Sequence, residues 1–237
     1  TRRGIYPVGH HAVDALLAEY GTSRPGVHRD RGPAYERARP NELWHIDIKG
    51  PFWLQRARGE HRKVWIVGLV DDHSRFIIGL RILPSPSTQP ILTWLADRFE
   101  LRGMPHEVMS DDGSPFVVWM PGVLILFGKT LAELEIKHIR TQVNSPWTNG
   151  KIERFWGTLW RELIEAAVFV DLQEARRRIG LYIDHYNFHR THQGIGGVTP
   201  ADRYYEASEQ VLEQLAVAGQ RTQQVEAGKG NVQEVMG

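Results

Sequence analysis

The chain has no cysteine in 237 residues. That excludes disulfides, a thiol nucleophile and any zinc site built on Cys. It also lacks a long apolar run. The longest, Phe116 to Phe127, is interrupted by Pro121 and Gly122, so nothing reads as a bilayer span or a signal peptide. A strong charge of either sign is missing too. The formal net charge is +1, so binding to a polyanion would have to come from local patches rather than a field over the whole molecule. No low-complexity tract or internal repeat is present. The chain does have a 41% hydrophobic content with 8 Trp, enough to bury a core, and its length suits one sizeable domain with extensions. It begins at Thr1 rather than Met, and we expect a further segment upstream.

Residues 1–40 read as an arm. His11 to Tyr20 has helical spacing and Gly21 suits its C-cap. Thr22 to Pro40 is an aperiodic stretch carrying Arg24, Arg29, Arg31, Arg37 and Arg39, either a solvated connector or a track for phosphates. From Leu43 to Ile48 apolar and polar residues alternate, placing Trp44, Ile46 and Ile48 on one face and His45, Asp47 and Lys49 on the other. Lys63–Val70 and Phe76–Leu83 follow as two more strands, joined through Asp71-Asp72-His73-Ser74. That acidic cluster is expected to be a turn in which Ser74 satisfies backbone groups. The spacing predicts a helix over Gln89–Leu101 stopped by Gly103, a strand at Glu107–Ser110, a helix at Lys129–Glu135 and a strand at Ile136–Arg140. A polar loop, Thr141 to Gly150, leads to a helix from Lys151 to Ala167, and Asp171 suits the N-cap of another over Leu172–His189. The order βββ–α–β–α–β–α–α points to an α/β domain, a mixed five-stranded sheet flanked by helices of the ribonuclease-H-like kind. The expected division is an arm at 1–40, the core at 41–168, a helical extension at 169–207 and a polar tail at 208–237.

Three acidic segments carry chemistry. They are Trp44-His45-Ile46-Asp47, Ser110-Asp111-Asp112-Gly113-Ser114 followed by Phe116, and Ser145-Pro146 through Asn149-Gly150-Lys151-Ile152-Glu153-Arg154-Phe155-Trp156. A fourth segment, Tyr186-Asn187 with Arg190, His192, Gln193, Thr199-Pro200 and Tyr204, lies downstream. Together these resemble the motifs of the DDE transposase and retroviral integrase superfamily, in the form found in bacterial insertion-sequence transposases. The resemblance spans roughly residues 41–206. Two departures stand out. Asp112 occupies a position where Asn is usual, and Glu153 stands 42 positions after Asp111, the surplus lying in the apolar stretch 117–127.

The resemblance implies a site in which Asp47, Asp111 and Glu153 are both the catalytic residues and the ligands of two Mg²⁺ or Mn²⁺ ions, held about 3.5–4 Å apart. Asp47 would bridge the two ions, Asp111 would hold one and Glu153 the other. It implies double-stranded DNA as partner, both transposon ends and target, a homo-oligomer on that DNA, no membrane and no small-molecule substrate. It also implies a location in the bacterial cytoplasm, on the nucleoid. The implied reaction is 3′-end cleavage followed by strand transfer by the freed 3′-hydroxyl. A nuclease that only hydrolyses and an inactive DNA-binding descendant are the alternatives. Asn144, Ser145, Trp147, Lys151, Arg154, Arg190 and His192 are candidate DNA contacts; Lys151 and Arg154 could equally be solvated helix charges, Trp147 a loop anchor, and Arg190 and His192 residues packed near the active-site helix. His185, His189 and His192 have a spacing open to a metal, although nothing else in the sequence supports one. The sequence that recognises transposon ends is expected in a helix-turn-helix before Thr1.

Overall fold

Strand β1 (Leu43–Gln55) is the centre of a five-stranded sheet of order β3-β2-β1-β4-β5. The computed structural model describes residues 36–55, 61–111, 116, 126–141, 150–214 and 216–217, all within the unit Tyr35–Gly237. β2 (His61–Asp71) and β3 (Ile77–Leu83) form an antiparallel meander with β1, whereas β4 (Glu107–Ser110) and β5 (Lys137–Arg140) run parallel to it. Helix α1 (Thr88–Arg102) precedes β4 and α2 (Leu126–Glu133) precedes β5. After β5 come α3 (Gly150–Leu159), a π-helical turn at Trp160–Ile164, α4 (Leu172–Phe188), a 3₁₀ turn at Gln193–Ile195 and α5 (Pro200–Tyr204). Among the described residues no helix is long and apolar enough to cross a membrane.

The sheet is covered on both faces. Trp44, Ile46, Val67 and Leu69 pack with Ile91 and Leu95 of α1 and Leu131 of α2. Ile66, Val70 and Ile77 pack on the other side with Ile152, Phe155 and Trp156 of α3 and Ile179 and Tyr186 of α4. This second layer explains why β2 is a continuous apolar run, since both of its faces are buried. Burial of His45 follows too, because the polar face of β1 is roofed by α3 instead of meeting water.

β1 continues well beyond the expected end at Ile48. Its register shifts between Lys49 and Phe52, and the face of its even-numbered residues changes there. Trp44 and Ile46 belong to the α1 side, Phe52 and Leu54 to the α3 side. An irregularity of this kind adds an unpaired residue and reverses the alternation. The helix expected over 151–167 is also interrupted, since α3 gives way to the π-helical turn at Trp160. The predicted caps are present. Gly103 ends α1 at φ 82° and donates to the Phe99 carbonyl, and Asp171 accepts from Glu174 N–H.

The segment assigned to a basic linker is, at its end, part of the core. Arg37 donates its backbone N–H to Asp72 and its guanidinium to Glu107, and Glu36 bridges Arg75 and Arg203. Arg37 is therefore committed to the domain rather than lying open to phosphates. Residues 1–35, the remainder of that arm, lie outside the described residues.

The downstream signature is structural in good part. Asn187 is buried and its side-chain amide pairs with both backbone groups of Ile77 on edge strand β3, accepting at 2.8 Å and donating at 3.0 Å. α4 is thus attached to the sheet as if it offered one more residue of strand. Asn187→Ala would strand a buried N–H and C=O, and is expected to cost about 2–3 kcal/mol in urea unfolding; a loss under 0.5 kcal/mol would contradict this role. Thr199 and Asp202 cap each other at the start of α5, and Tyr204 stacks on Phe76 at 4.5 Å while donating to Asn41.

Candidate active site

Asp47 and Asp111 meet through strand register. The parallel pairing of β1 with β4 sets Leu43 beside Glu107, Trp44 beside Val108 and His45 beside Met109. Continued two residues, it sets Asp47 level with Asp111, just past the end of β4, and side chains at one level of a parallel pair point to the same face. Asp47 senses the charge of Asp111. Burial, and then the negative charge of Asp111, push the Asp47 carboxyl up to about 6. Ser110, buried at the end of β4, is pinned by His138 of β5 at 2.8 Å, which steadies the chain leading into Asp111.

Asp47 is also held from above. Its Oδ2 accepts from the Trp156 indole N–H of α3 at 2.8 Å, and its Oδ1 from the Ile48 N–H at 2.7 Å. The indole reaches it because Gly68 is the residue paired with Asp47 on β2. A Cβ at Gly68 would stand 2.8 Å from both Trp156 Cη2 and Leu80 Cδ2. Gly68→Val is therefore expected to displace the indole, costing about 1–3 kcal/mol of stability by overpacking and releasing the Asp47 hydrogen bond. The indole N–H resonance would report the loss, and an unchanged resonance would refute the contact.

Glu153 lies in the first turn of α3 and is exposed. Among the described residues no group of three or more His, Asp or Glu side chains is close enough to hold one metal ion. Asp47 feels the charge of Asp111, and Glu153 does not complete a three-carboxylate cluster with them among the described residues. Three carboxylates repel one another, and convergence is favourable only around cations. The pair offers what a hard divalent cation could take, carboxylate oxygens from two adjacent strands, with Asp47 raised by burial and by the charge of Asp111.

A buried charged network, unforeseen from the sequence, anchors α3. Asp71 forms the expected turn, accepting from Ser74 N–H at 2.8 Å and Ser74 Oγ at 2.6 Å. Asp72 points inward instead. It is fully buried and takes His45 Nε2 at 2.7 Å, Lys151 Nζ at 2.5 Å and Arg37 N–H at 2.6 Å. Burial alone would raise its pKa. The hydrogen bond and charge of His45, then Lys151 and Arg37, outweigh that and hold the carboxyl well below the usual range. Lys151 is itself lowered, burial outweighing its bond to Asp72. α3 is thereby tied to the sheet at two points, Lys151 through Asp72 to His45 and Trp156 to Asp47, with Glu153 between them. The sequence pattern, which places His45 on the polar face of β1 and Asp72 in a turn, offers no hint of it.

The other candidates are placed as follows. Lys151 spends its ammonium on Asp72. Arg190 pairs with Glu162 at 2.5 Å, and Glu162 also accepts from Tyr182. Arg154 is exposed. His192 packs edge-on against Tyr186 at 4.6 Å, while His185 and His189 stack on each other at 6.2 Å, so the three rings do not converge. Asn144, Ser145, Trp147 and Asp112 lie outside the described residues, as does 117–125. Phe127, at the end of that apolar stretch, is a buried residue of α2 against Phe116.

Two family models described as integrase core domain match residues 37–146 and 134–200. A transposase for insertion sequence element IS904 of Lactococcus lactis is 34% identical over 71% of this chain and 63% of its own length. An uncharacterized protein of insertion element IS476 from Xanthomonas euvesicatoria is 26% identical over 82% of this chain and 55% of its own. The transposase of Tn552 from Staphylococcus aureus is 26% identical over 71% and 38%. The chain thus spans about 40–60% of the length of these relatives. Among solved structures, a simian T-cell lymphotropic virus intasome chain superposes with TM-score 0.59 at 16% identity, covering 81% of this chain and 70% of that one. The HTLV-2 integrase catalytic core domain in complex with magnesium gives TM-score 0.50 at 17% identity, covering 70% and 98%. The sheet order, the helices on both faces and these matches agree: the chain belongs to the DDE transposase and retroviral integrase superfamily, and its core is an integrase core domain of ribonuclease-H-like fold.

Proposed function

We propose that this chain is the catalytic core of a bacterial insertion-sequence transposase that frees the 3′-ends of its element and joins them to target DNA. The observation that carries the reading is the Asp47–Asp111 pair, two carboxylates brought side by side by strand register and mutually repelling. Like charges placed so close cost stability until a cation sits between them, and a fold keeps such a cost where function needs it. Asp47, Asp111 and Glu153 would hold two Mg²⁺ or Mn²⁺ ions, whose chemistry is to lower the pKa of an attacking water or 3′-hydroxyl and to neutralise the leaving oxygen.

The chain's own side chains have separable tasks. Trp156 and the Ile48 N–H fix the rotamer of Asp47. Lys151, through Asp72 and His45, fixes the start of α3 and so the height of Glu153 above the sheet. Glu153, exposed on that first turn, is free to swing toward the pair once DNA and cations supply positive charge. We extend the proposal to double-stranded DNA as partner, to a homo-oligomer that holds two ends, to a core at 41–168 with a helical extension at 169–207, and to a bacterial, nucleoid-associated setting.

A strand-transfer assay with labelled end DNA tests this. Joined product supports the proposal. Nicking without joining would favour a hydrolytic nuclease, and a gel shift without cleavage a DNA-binding descendant.

A pH dependence follows from Asp47. Its folded pKa is raised, so protons compete with cations below about 6. The Mg²⁺ concentration for half-maximal effect should rise as pH falls from 7 to 5, and the Asp47 carboxyl ¹³C titration, midpoint near 6 without metal, should move down when Mg²⁺ is added. A midpoint that ignores Mg²⁺ would remove Asp47 from the ligand set.

A further inference from the structure

A second site lies beside the first turn of α3. A cleft of about 270 Å³ opens between α3, the end of α4 and the 3₁₀ turn, with Arg75, Lys151, Arg154, Arg190, His192 and Gln193 among its walls. Among the described residues no carboxylate lines it. Of its cations, Lys151 is matched by Asp72, Arg190 by Glu162, and Arg75 shares Glu36 with Arg203. Arg154 has no ion-pair or hydrogen-bond partner for its guanidinium among the described residues, and the His192 Nε2 is buried without a partner. The cleft therefore holds more positive charge than the described residues neutralise. His192 senses this: burial, and then Arg190, lower its pKa, with Arg75 adding to the effect, against a backbone hydrogen bond to Tyr186. A protein that places a surplus guanidinium and an unpaired ring nitrogen around a concavity has built a place for an anion with several acceptor oxygens.

We propose that this cleft seats one backbone phosphate of a DNA strand passing the active site, with Arg154 and His192 as its ligands. Arg154 is the residue next to Glu153, so a strand whose scissile bond lies by the carboxylates would carry a neighbouring phosphodiester past the cleft. The contact would set the strand's position without reading its sequence. This rests on the reading of the chain as DNA-acting, and it names where that DNA is gripped apart from the metal ligands.

The test needs no knowledge of the transposon ends. Binding of an arbitrary-sequence duplex is measured in EDTA by fluorescence anisotropy over a range of salt, for the wild-type chain, Arg154→Ala and Arg154→Lys. We expect Arg154→Ala to weaken binding roughly 5- to 20-fold at low salt and to reduce the slope of log K against log salt by about 1, as loss of one phosphate contact does. Arg154→Lys should restore the slope, and the thermal midpoint of Arg154→Ala should match wild type. The His192 ring ¹⁵N resonances should move on adding duplex to the wild-type chain. Duplex binding with an unchanged slope in Arg154→Ala would overturn the cleft while sparing the functional reading. No duplex binding by the wild-type chain would sink both. His192 shifts that saturate with inorganic phosphate and ignore duplex would reassign the cleft to a small free anion.

Discussion

Asp47→Asn is expected to reduce strand transfer by roughly three orders of magnitude or more while making the metal-free domain more stable at neutral pH. The two effects have one cause. Asp47 is raised to about 6 by burial and by the Asp111 charge. A carboxyl whose folded pKa lies above its unfolded value favours the fold fully below the unfolded value, near 4, and that contribution is lost as pH rises through the folded one. Above pH 6 the ionised side chain works against the fold by up to about 3 kcal/mol, taking roughly 1.4 kcal/mol per pKa unit. Asn removes the charge and still offers Trp156 an acceptor oxygen. Urea unfolding in EDTA should therefore show the variant ahead by about 1–3 kcal/mol at pH 7.5 and level with wild type at pH 4. Mg²⁺ should narrow the gap at pH 7.5 by binding only the wild-type site. Retained activity, or a variant less stable than wild type at pH 7.5, would sink the assignment.

Lys151→Met should be the most damaging single change for stability. Its ammonium is one of three donors to Asp72, which is fully buried and ionised. Removing one partner of a buried pair leaves an uncompensated charge, at a cost of about 3–5 kcal/mol, or roughly 10 °C in the thermal midpoint of a domain this size. The double variant Lys151→Met with Asp72→Asn should recover much of that loss, because both charges are then gone. A double-mutant cycle with no coupling would show the pair to be incidental. The cost is one an active core can justify: the network ties the β2–β3 turn, the strand bearing Asp47 and the helix bearing Glu153 into one unit.

The arrangement of elements was largely legible in the chain. Strand alternation in 43–48, the apolar runs of β2 and β3, and the caps at Gly103 and Asp171 predict elements that the structure contains, within a few residues of the expected bounds except for β1, which runs on to Gln55. Local pattern could not show the irregularity after Lys49, because the faces swap only through pairing with β2. Nor could it show that Asp72, one residue from a true turn aspartate, turns inward to meet His45 and Lys151 from elements 27 and 79 positions away. The motif around Tyr186-Asn187 and Thr199-Pro200 was legible as a signature, yet its meaning, an amide pairing with an edge strand and a capped helix stacking Tyr204 on Phe76, exists only in three dimensions.

By itself, then, the sequence determined which residue types are present and which local periods they follow: no thiol chemistry, no apolar span, three carboxylates in strand and helix contexts, and the order of strands and helices. Tertiary structure alone decided which of those charges meet. Asp47 and Asp111, 64 positions apart, become neighbours because β1 and β4 pair in parallel at one register, and Gly68 admits Trp156 because no other side chain stands there. Charge proximity and burial are properties of long-range packing, and no local period along the chain encodes them.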